Sequence, residues 1–180
     1  EVVQIAAATM AAGMPVEPVE TLPDLWRPDE LPGRRAFDLA HEALGSSVEV
    51  VVGDLLDYNL SKLGTFDLVL YLGVLYHVRH PLLALERLAA VTRGTAIIET
   101  QAELFRGSGG RALCRFIEGD ELNHDPSNFW TFNDEALRSM CRSAGFERAE
   151  VQQAPGRLKR RAAAMVRGSA SYRAVVHASR

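Results

Sequence analysis

The chain is poor in cysteine and has no long apolar run. Its 180 residues include two cysteines, Cys114 and Cys141, which lack the spacing of metal ligands. Two such thiols argue against a disulfide framework and are typical of a cytoplasmic protein. No apolar run approaches the roughly 20 residues that span a bilayer, so no membrane-spanning helix is expected. No signal peptide is evident either.

The chain also lacks a large excess of either acidic or basic residues. Lysine and arginine total 20 against 23 acidic residues, for a net charge of -3, so no global basic field recruits nucleic acid. Hydrophobic residues make up 47% of the chain, enough to bury the core of one domain, which we expect to cover residues 1–180. The first residue is Glu1, inside an Ala-rich pattern that predicts a helix over residues 2–12. We therefore expect a domain that lacks an upstream segment.

Apolar patterns and breakers predict strands that alternate with helices. The run at residues 67–72 is almost continuously apolar, which is typical of a strand buried on both faces. Pro81 is suited to the first position of the next helix and Gly94 to its end. The predicted strands are 16–19, 48–52, 67–72, 95–99, 146–152 and 173–178, and the further helices are 34–44, 81–91 and 134–144. This order predicts an α/β, Rossmann-like, mostly parallel sheet whose last two strands form an antiparallel pair at one edge.

Each of two segments between these elements has two possible roles. Residues 101–133 form a long predicted loop, and loops of that length are usually functional or lids. Its aromatic residues Phe129, Trp130 and Phe132 either stack above a substrate or form a small satellite core. Residues 156–168 form a basic linker, which either contacts phosphate or is simply solvated.

Informative residues follow three predicted strands. Glu20 ends the first strand, Asp54 follows the second, and residues 71–77 follow the third. Ligands of open α/β sheets bind at the carboxyl ends of strands, where carboxylates can accept ribose hydroxyls and an adenine amino group. This pattern favours an adenosyl ligand. Glu17 competes with Glu20 for the ribose, and Asp54 is equally suited to a turn or a helix N-cap.

Histidine and tyrosine residues after the third strand are further candidates. His77 and His80 lack the i, i+4 partner of a helical zinc motif, so no metal is expected. His77 is either a hydrogen-bonded structural residue or a base, since its ordinary pKa is near neutrality. Tyr76 either packs or acts at the reaction centre.

The same segment resembles a known family. Residues 66–77, FDLVLYLGVLYH, followed by 79–86, RHPLLALE, resemble the motif after the fourth strand of class I S-adenosylmethionine-dependent methyltransferases. More narrowly, they are similar to the group related to bacterial tRNA wobble-uridine methyl- and carboxymethyltransferases. Further matches are 37–40 (FDLA), 119–123 (GDELN), 125–130 (DPSNFW), 143–146 (SAGF) and 172–175 (YRAV). The resemblance spans roughly residues 2–178.

The resemblance implies a methyltransferase fold, S-adenosyl-L-methionine as cofactor and a small-molecule or RNA acceptor, with tRNA modification among the possibilities. It also implies roles for individual residues. Tyr76 lies at the reaction centre, where His77 is the second catalytic candidate. Arg173 matches an arginine that faces an extra cofactor carboxylate in the carboxymethyl branch. The cofactor-binding set is Glu20 and Thr21 at the ribose, Asp54 and Leu55 at the adenine edge, Leu72 and Gly73 at the apolar wall, and Tyr76 and Arg173.

The chain departs from the family pattern in two ways. The glycine-rich turn after the family's first strand is absent, and so are the upstream lysines and tryptophan of the carboxymethyl branch. Methyl transfer is therefore better supported than carboxymethyl transfer. A methyltransferase-like module without activity stays open as an alternative. A nicotinamide-dependent oxidoreductase is less favoured, because no Gly-x-Gly-x-x-Gly or Tyr-x-x-x-Lys pattern is present. The sequence does not specify an oligomeric state.

Overall fold

The computed structural model describes residues 3–6, 32–152 and 157–180. These residues form eight strands and four α-helices, with two short 3₁₀ turns at Leu60–Lys62 and Leu75–His77. The strands are β1 (Val3–Ala6), β2 (Glu49–Val52), β3 (Phe66–Leu72), β4 (Thr92–Phe105), β5 (Cys114–Phe116), β6 (Trp130–Phe132), β7 (Arg148–Val151) and β8 (Ser169–Ser179). The helices are α1 (Pro32–Ala43), α2 (Pro81–Val91), α3 (Asp134–Ser143) and α4 (Arg157–Arg167).

The long strand β4 organises a mixed sheet. Its first part pairs in parallel with β3, from Phe66↔Thr92 to Leu72↔Glu99, and Ala102 further along pairs in parallel with Phe132 of β6. Strand β8 runs antiparallel beside β4, and β7 pairs antiparallel with β8 at the edge. The predicted antiparallel pair of C-terminal strands at a sheet edge is therefore confirmed. Strands β1 and β2 form a separate parallel pair.

The core lies on one face of this sheet. Tyr71, Ile98 and Val176 are buried there in one cluster with Leu85 of α2 and Leu137 of α3. Successive side chains of a strand point to opposite faces. Leu68, Leu70 and Leu72 of β3 accordingly face away from this cluster and are 56%, 59% and 52% exposed. The predicted position of the third strand is confirmed, but burial on both faces is wrong for the described residues, since their core cluster covers one face.

Gly94 has a different role from the predicted one. Helix α2 ends at Val91, and Gly94 lies inside β4, where the pairing with β3 shifts register. A Cβ atom at Gly94 would stand 2.3 Å from the carbonyl oxygen of Asp67. The glycine is therefore required by the close approach of two strands, and the prediction that it ends the helix is wrong.

Three further predictions are corrected. The helix over residues 2–12 is wrong at Val3–Ala6, which pair with β2 as a strand containing the β-branched residues Val3 and Ile5. The basic linker contains helix α4, because Arg, Lys, Ala, Leu and Met are strong helix formers. The predicted loop 101–133 begins with the end of β4 and contains β5 and β6. The predicted strand 16–19 lies outside the described residues.

Local helix signals are confirmed. Pro81 occupies the start of α2, and α1 and β2 lie where the sequence predicts them. Asn133 precedes α3 and its side-chain oxygen accepts from the backbone N–H of Ala136 at 2.8 Å, which satisfies a donor that the helix leaves open. None of the described helices is long and apolar enough to cross a membrane.

Candidate functional site

The candidate site begins where β3 ends. Gly73 follows the strand with a positive φ of 73°, a conformation that glycine adopts without a steric penalty. Its N–H donates to the carbonyl oxygen of Glu99 at 3.0 Å. The chain then forms the 3₁₀ turn that carries Tyr76 and His77. The carboxyl end of β3 thus lies beside the middle of β4, at the last parallel pair Leu72↔Glu99.

Arg173 of β8 joins this place from the opposite end of the chain. Its Nε donates to Glu99 Oε1 at 2.6 Å, and its guanidinium carbon lies 4.8 Å from the centre of the Tyr76 ring. Tyr76 is 9% exposed, so the cation stacks on a largely buried aromatic face. The structure therefore brings together Gly73, Tyr76 and Arg173 of the predicted set.

Sequence reasoning missed Glu99. It ends the predicted strand 95–99, so the rule that selected Asp54, an acid at a strand end, would also have found it. Its carboxylate lies beside Gly73: a Cβ atom on that glycine would stand 3.8 Å from Glu99 Oε2 and 4.0 Å from Arg173 Nη2. The site thus contains an ion pair next to the backbone turn at Gly73.

His77 lies against Tyr76, with 3.9 Å between ring centres. Its Nδ1 faces the carbonyl oxygen and the hydroxyl of Ser127, each at 3.0 Å. Burial lowers the pKa of His77, an effect partly opposed by the Ser127 hydrogen bond and by the charge of Asp125. Burial thus favours the neutral ring, which is the form that accepts a proton.

Asp54 and Leu55 lie at the end of β2. Asp54 Oδ1 accepts from the N–H of Leu56 at 2.8 Å, and the Asp54 carbonyl accepts from Tyr58 at 2.8 Å. Asp54 thus stabilises a turn, as its alternative interpretation expected. The Leu55 side chain is 5% exposed and belongs to the core, and the Leu55 carbonyl accepts from Arg87 Nε. A cofactor role for either residue stays a prediction.

Of the remaining predicted cofactor residues, Leu72 is among the described residues and Glu20 and Thr21 are not. Leu72 is 52% exposed at the end of β3, so its side chain is accessible to a ligand. Glu20 and Thr21, together with Glu17, lie outside the described residues, and their predicted ribose contacts stay predictions.

A cavity of about 500 Å³ opens at the start of α2. Its lining begins two residues after His77, with Arg79 and His80, and includes Trp130 and Met140, whereas neither Tyr76 nor His77 lines it. Trp130 also meets the ring of Phe116 edge-on at 5.2 Å, and Arg79 lies 4.4 Å from the centre of the Phe129 ring. Phe132 is fully buried in the main core cluster. Trp130 and Phe132 thus line the cavity, Phe132 also belongs to the core, and Phe129 packs against Arg79.

Within the described ranges, no group of three or more His, Cys, Asp or Glu side chains is arranged to hold a metal ion.

No family model and no curated protein matches the chain. Solved structures do match. The N-terminal domain of EvdMO1, crystallised with S-adenosylhomocysteine and D-fucose, aligns with a TM-score of 0.58 and 23% identity over 81% of this chain and 60% of its own length.

An O-methyltransferase family protein from Burkholderia thailandensis aligns with a TM-score of 0.55 and 20% identity over 83% of this chain and 42% of its own. The 1,6-didemethyltoxoflavin-N1-methyltransferase of that organism, bound to its substrate and S-adenosylhomocysteine, aligns with a TM-score of 0.52 and 17% identity over 83% and 57%. The chain thus spans at most about 60% of the length of these three proteins. The alignments confirm the predicted fold: the chain has a class I methyltransferase fold.

Proposed function

We propose that the protein transfers a methyl group from S-adenosylmethionine to a small-molecule acceptor. The observation that carries this proposal is the cluster of Gly73, Tyr76, Glu99 and Arg173 at the carboxyl end of β3, in a fold shared with proteins crystallised with S-adenosylhomocysteine. Ligands of open α/β sheets bind at this edge. Fold alone does not define function, so the proposal depends on this cluster.

The residues at the strand ends fit such a cofactor. Gly73 has no side chain to keep a ligand from its backbone, and the exposed Leu72 next to it offers an apolar contact. The Glu99 carboxylate near Gly73 is paired with Arg173 at 2.6 Å, so the two side chains together add no net charge beside this turn. S-adenosylmethionine supplies an electrophilic methyl group on a sulfonium, so positioning and electrostatics are what the protein contributes.

His77 and Tyr76 would act on the acceptor. A neutral imidazole can take the proton that an acceptor hydroxyl or amine loses, and the lowered pKa of His77 keeps it in this form. Tyr76 is held by the stacked Arg173 and by its backbone carbonyl, which accepts from the Phe129 N–H at 2.9 Å. Both side chains thus occupy fixed positions next to the proposed cofactor site.

The cavity at the start of α2, two residues beyond His77 in the chain, supports a small acceptor. Its volume of about 500 Å³ lies in the range of ligand pockets, which are mostly apolar with a few polar groups. Leucine, tryptophan and methionine side chains line it together with Arg79 and Glu86. The 1,6-didemethyltoxoflavin-N1-methyltransferase acts on a small molecule, which agrees with this size.

Calorimetry with S-adenosylmethionine and S-adenosylhomocysteine tests the proposal. It should be run on the chain of 180 residues and on the same chain with any residues encoded directly upstream. We expect binding, and we expect Gly73→Ala to weaken it at least tenfold, because a Cβ atom would sit between the backbone and the ligand.

The matched control is Gly64→Ala. Gly64 has a similar positive φ of 71° but no atom within 4 Å of an added Cβ, so this variant carries the same backbone strain without touching the site. Its affinity for the cofactor should stay unchanged. Absence of binding heat with both compounds and both chains contradicts the proposal, and so does an equal loss of affinity in the two variants.

A further inference from the structure

The segment that follows β5 folds back onto the 3₁₀ turn of the site. Ser127 of this segment is 6% exposed and lies 50 residues from His77 in the chain. Both of its oxygens approach the same ring nitrogen: the carbonyl oxygen and the hydroxyl oxygen are each 3.0 Å from His77 Nδ1.

Asp125 determines which way the Ser127 hydroxyl points. The hydroxyl donates to Asp125 Oδ1 at 2.6 Å, a short distance typical of a charge-assisted hydrogen bond. The backbone N–H of Ser127 donates to the same oxygen at 2.9 Å. A hydroxyl has one proton, and here it is given to the carboxylate. The oxygen therefore presents a lone pair to His77.

Both oxygens at Nδ1 consequently accept. A carbonyl can do nothing else, and the hydroxyl has no second proton to donate. A hydrogen bond to either one requires the proton of the neutral ring to be on Nδ1. The other nitrogen, Nε2, has no hydrogen-bond partner among the residues that the structure describes.

We propose that Asp125 and Ser127 are positioning residues that hold neutral His77 as its Nδ1–H tautomer and keep the Nε2 lone pair available as the base. This rests on the proposed methyl transfer. The proton moves from the acceptor O–H or N–H to the Nε2 lone pair, and the acceptor atom keeps the electron pair with which it bonds to the methyl carbon. His77 is then an imidazolium with protons on both nitrogens. Its new positive charge is stabilised through Nδ1–H by the Ser127 oxygens and by Asp125.

The groups around His77 shift its pKa in both directions. Asp125 favours the protonated ring, whereas Arg173 and burial disfavour it, and the Tyr76 ring covers it at 3.9 Å between centres. In the proposed arrangement the His77 ring is therefore neutral before the reaction, and Asp125 and Ser127 stabilise the imidazolium that forms when the ring accepts a proton.

The tautomer is directly measurable by NMR. Long-range ¹H–¹⁵N correlation spectra distinguish a protonated from an unprotonated imidazole nitrogen, and His77→Gln identifies the His77 signals among the five histidines of the chain. In the unliganded chain near pH 7.5 we expect a protonated Nδ1 and an unprotonated Nε2. Asp125→Ala should release the hydroxyl and produce an Nε2–H population of at least one fifth. Asp125→Asn keeps an accepting oxygen and should retain the Nδ1–H form.

Asp120→Ala is the matched control, because Asp120 is a carboxylate beside a histidine in the same segment. It lies 3.8 Å from His124, and both side chains are exposed, so this change should leave the His77 signals unchanged. A wild-type spectrum with the proton on Nε2 overturns the proposal without any variant. An Asp125→Ala spectrum identical to wild type also overturns it.

The NMR measurement needs no cofactor. A failure of cofactor binding in calorimetry is therefore a failure of the proposed function and is distinguishable from a wrong tautomer.

Discussion

At the scale of single residues, the proposed chemistry depends on a histidine kept neutral by burial. The pKa of His77 is lower in the folded chain than its ordinary value because burial disfavours the charged ring. The unfolded chain then binds more protons than the folded chain below about pH 6.5, so stability falls as the pH drops through this window. Above it both states are neutral at this position, and His77 contributes no pH dependence.

This difference predicts a specific result for His77→Gln. Between about pH 7.5 and pH 5, the wild type should lose more unfolding free energy than the variant, at up to about 1.4 kcal/mol per pH unit. Urea unfolding at a series of pH values gives the two curves. His124→Gln is the control, since His124 is 95% exposed, and it should follow the wild type. Parallel curves for wild type and His77→Gln would show that His77 is not held neutral by the fold.

At the scale of elements, the cap of α3 connects the helix to the segment that builds the site. Asn133 Oδ1 accepts from Ala136 N and from Leu113 N at 2.8 and 3.1 Å, and its Nδ2 donates to the Arg111 carbonyl at 2.7 Å. Asn133 is 6% exposed, so these bonds form in a largely dry setting. One side chain thus fixes a helix end and the entry to β5 together.

Asn133→Ala should therefore cost more than the loss of an ordinary N-cap. Removing a cap costs about 0.5–2 kcal/mol, and each buried partner left without a bond adds about 1–3 kcal/mol. We expect a loss above 2 kcal/mol in urea unfolding. The control Asn59→Ala removes a cap whose oxygen accepts from Ser61 N at 3.2 Å at the exposed start of a 3₁₀ turn, and should cost under about 1 kcal/mol. Equal losses in the two variants contradict this account.

The elements that the sequence predicted correctly are those with local signals. Pro81 and Asn133 each act within one turn of their own helix. The segments of β7 and β8 contain alternating apolar residues or β-branched residues, which are signals within each segment. Gly94 was misassigned because its neighbour, Asp67, lies 27 positions earlier and is reached only through strand pairing.

The same limit applies to the candidate site: the contacts of Glu99 with Arg173 and of His77 with Ser127 join distant segments. Tyr76 and Arg173 were predicted through the family resemblance, which carries long-range information that residue patterns lack.

At the scale of the whole molecule, charge and cavity size together decide between the two acceptor classes. Proteins that bind RNA neutralise phosphates with a basic surface, and their affinity falls steeply with salt. The chain has a net charge of -3, and helix α4 concentrates five basic residues in 11 positions. A small acceptor would instead bind in the cavity at the start of α2, whose lining is mostly apolar, so its binding should depend little on salt.

Binding to unfractionated tRNA separates these possibilities. We expect filter binding to show no specific retention near 0.15 M salt, and any retention near 0.05 M salt to disappear when the arginines of α4 are changed together to glutamine. A labelled-methyl assay with S-adenosylmethionine should then label a small-molecule extract and leave tRNA unlabelled. If tRNA accepts the label, and if exchanging Arg160, Arg161 and Arg167 abolishes that transfer, the basic face of α4 rather than the cavity determines the acceptor. The small-molecule assignment is then wrong, whereas the proposed cofactor site at Gly73 and the proposed base His77 would serve either acceptor, because both follow β3 and neither lies on α4.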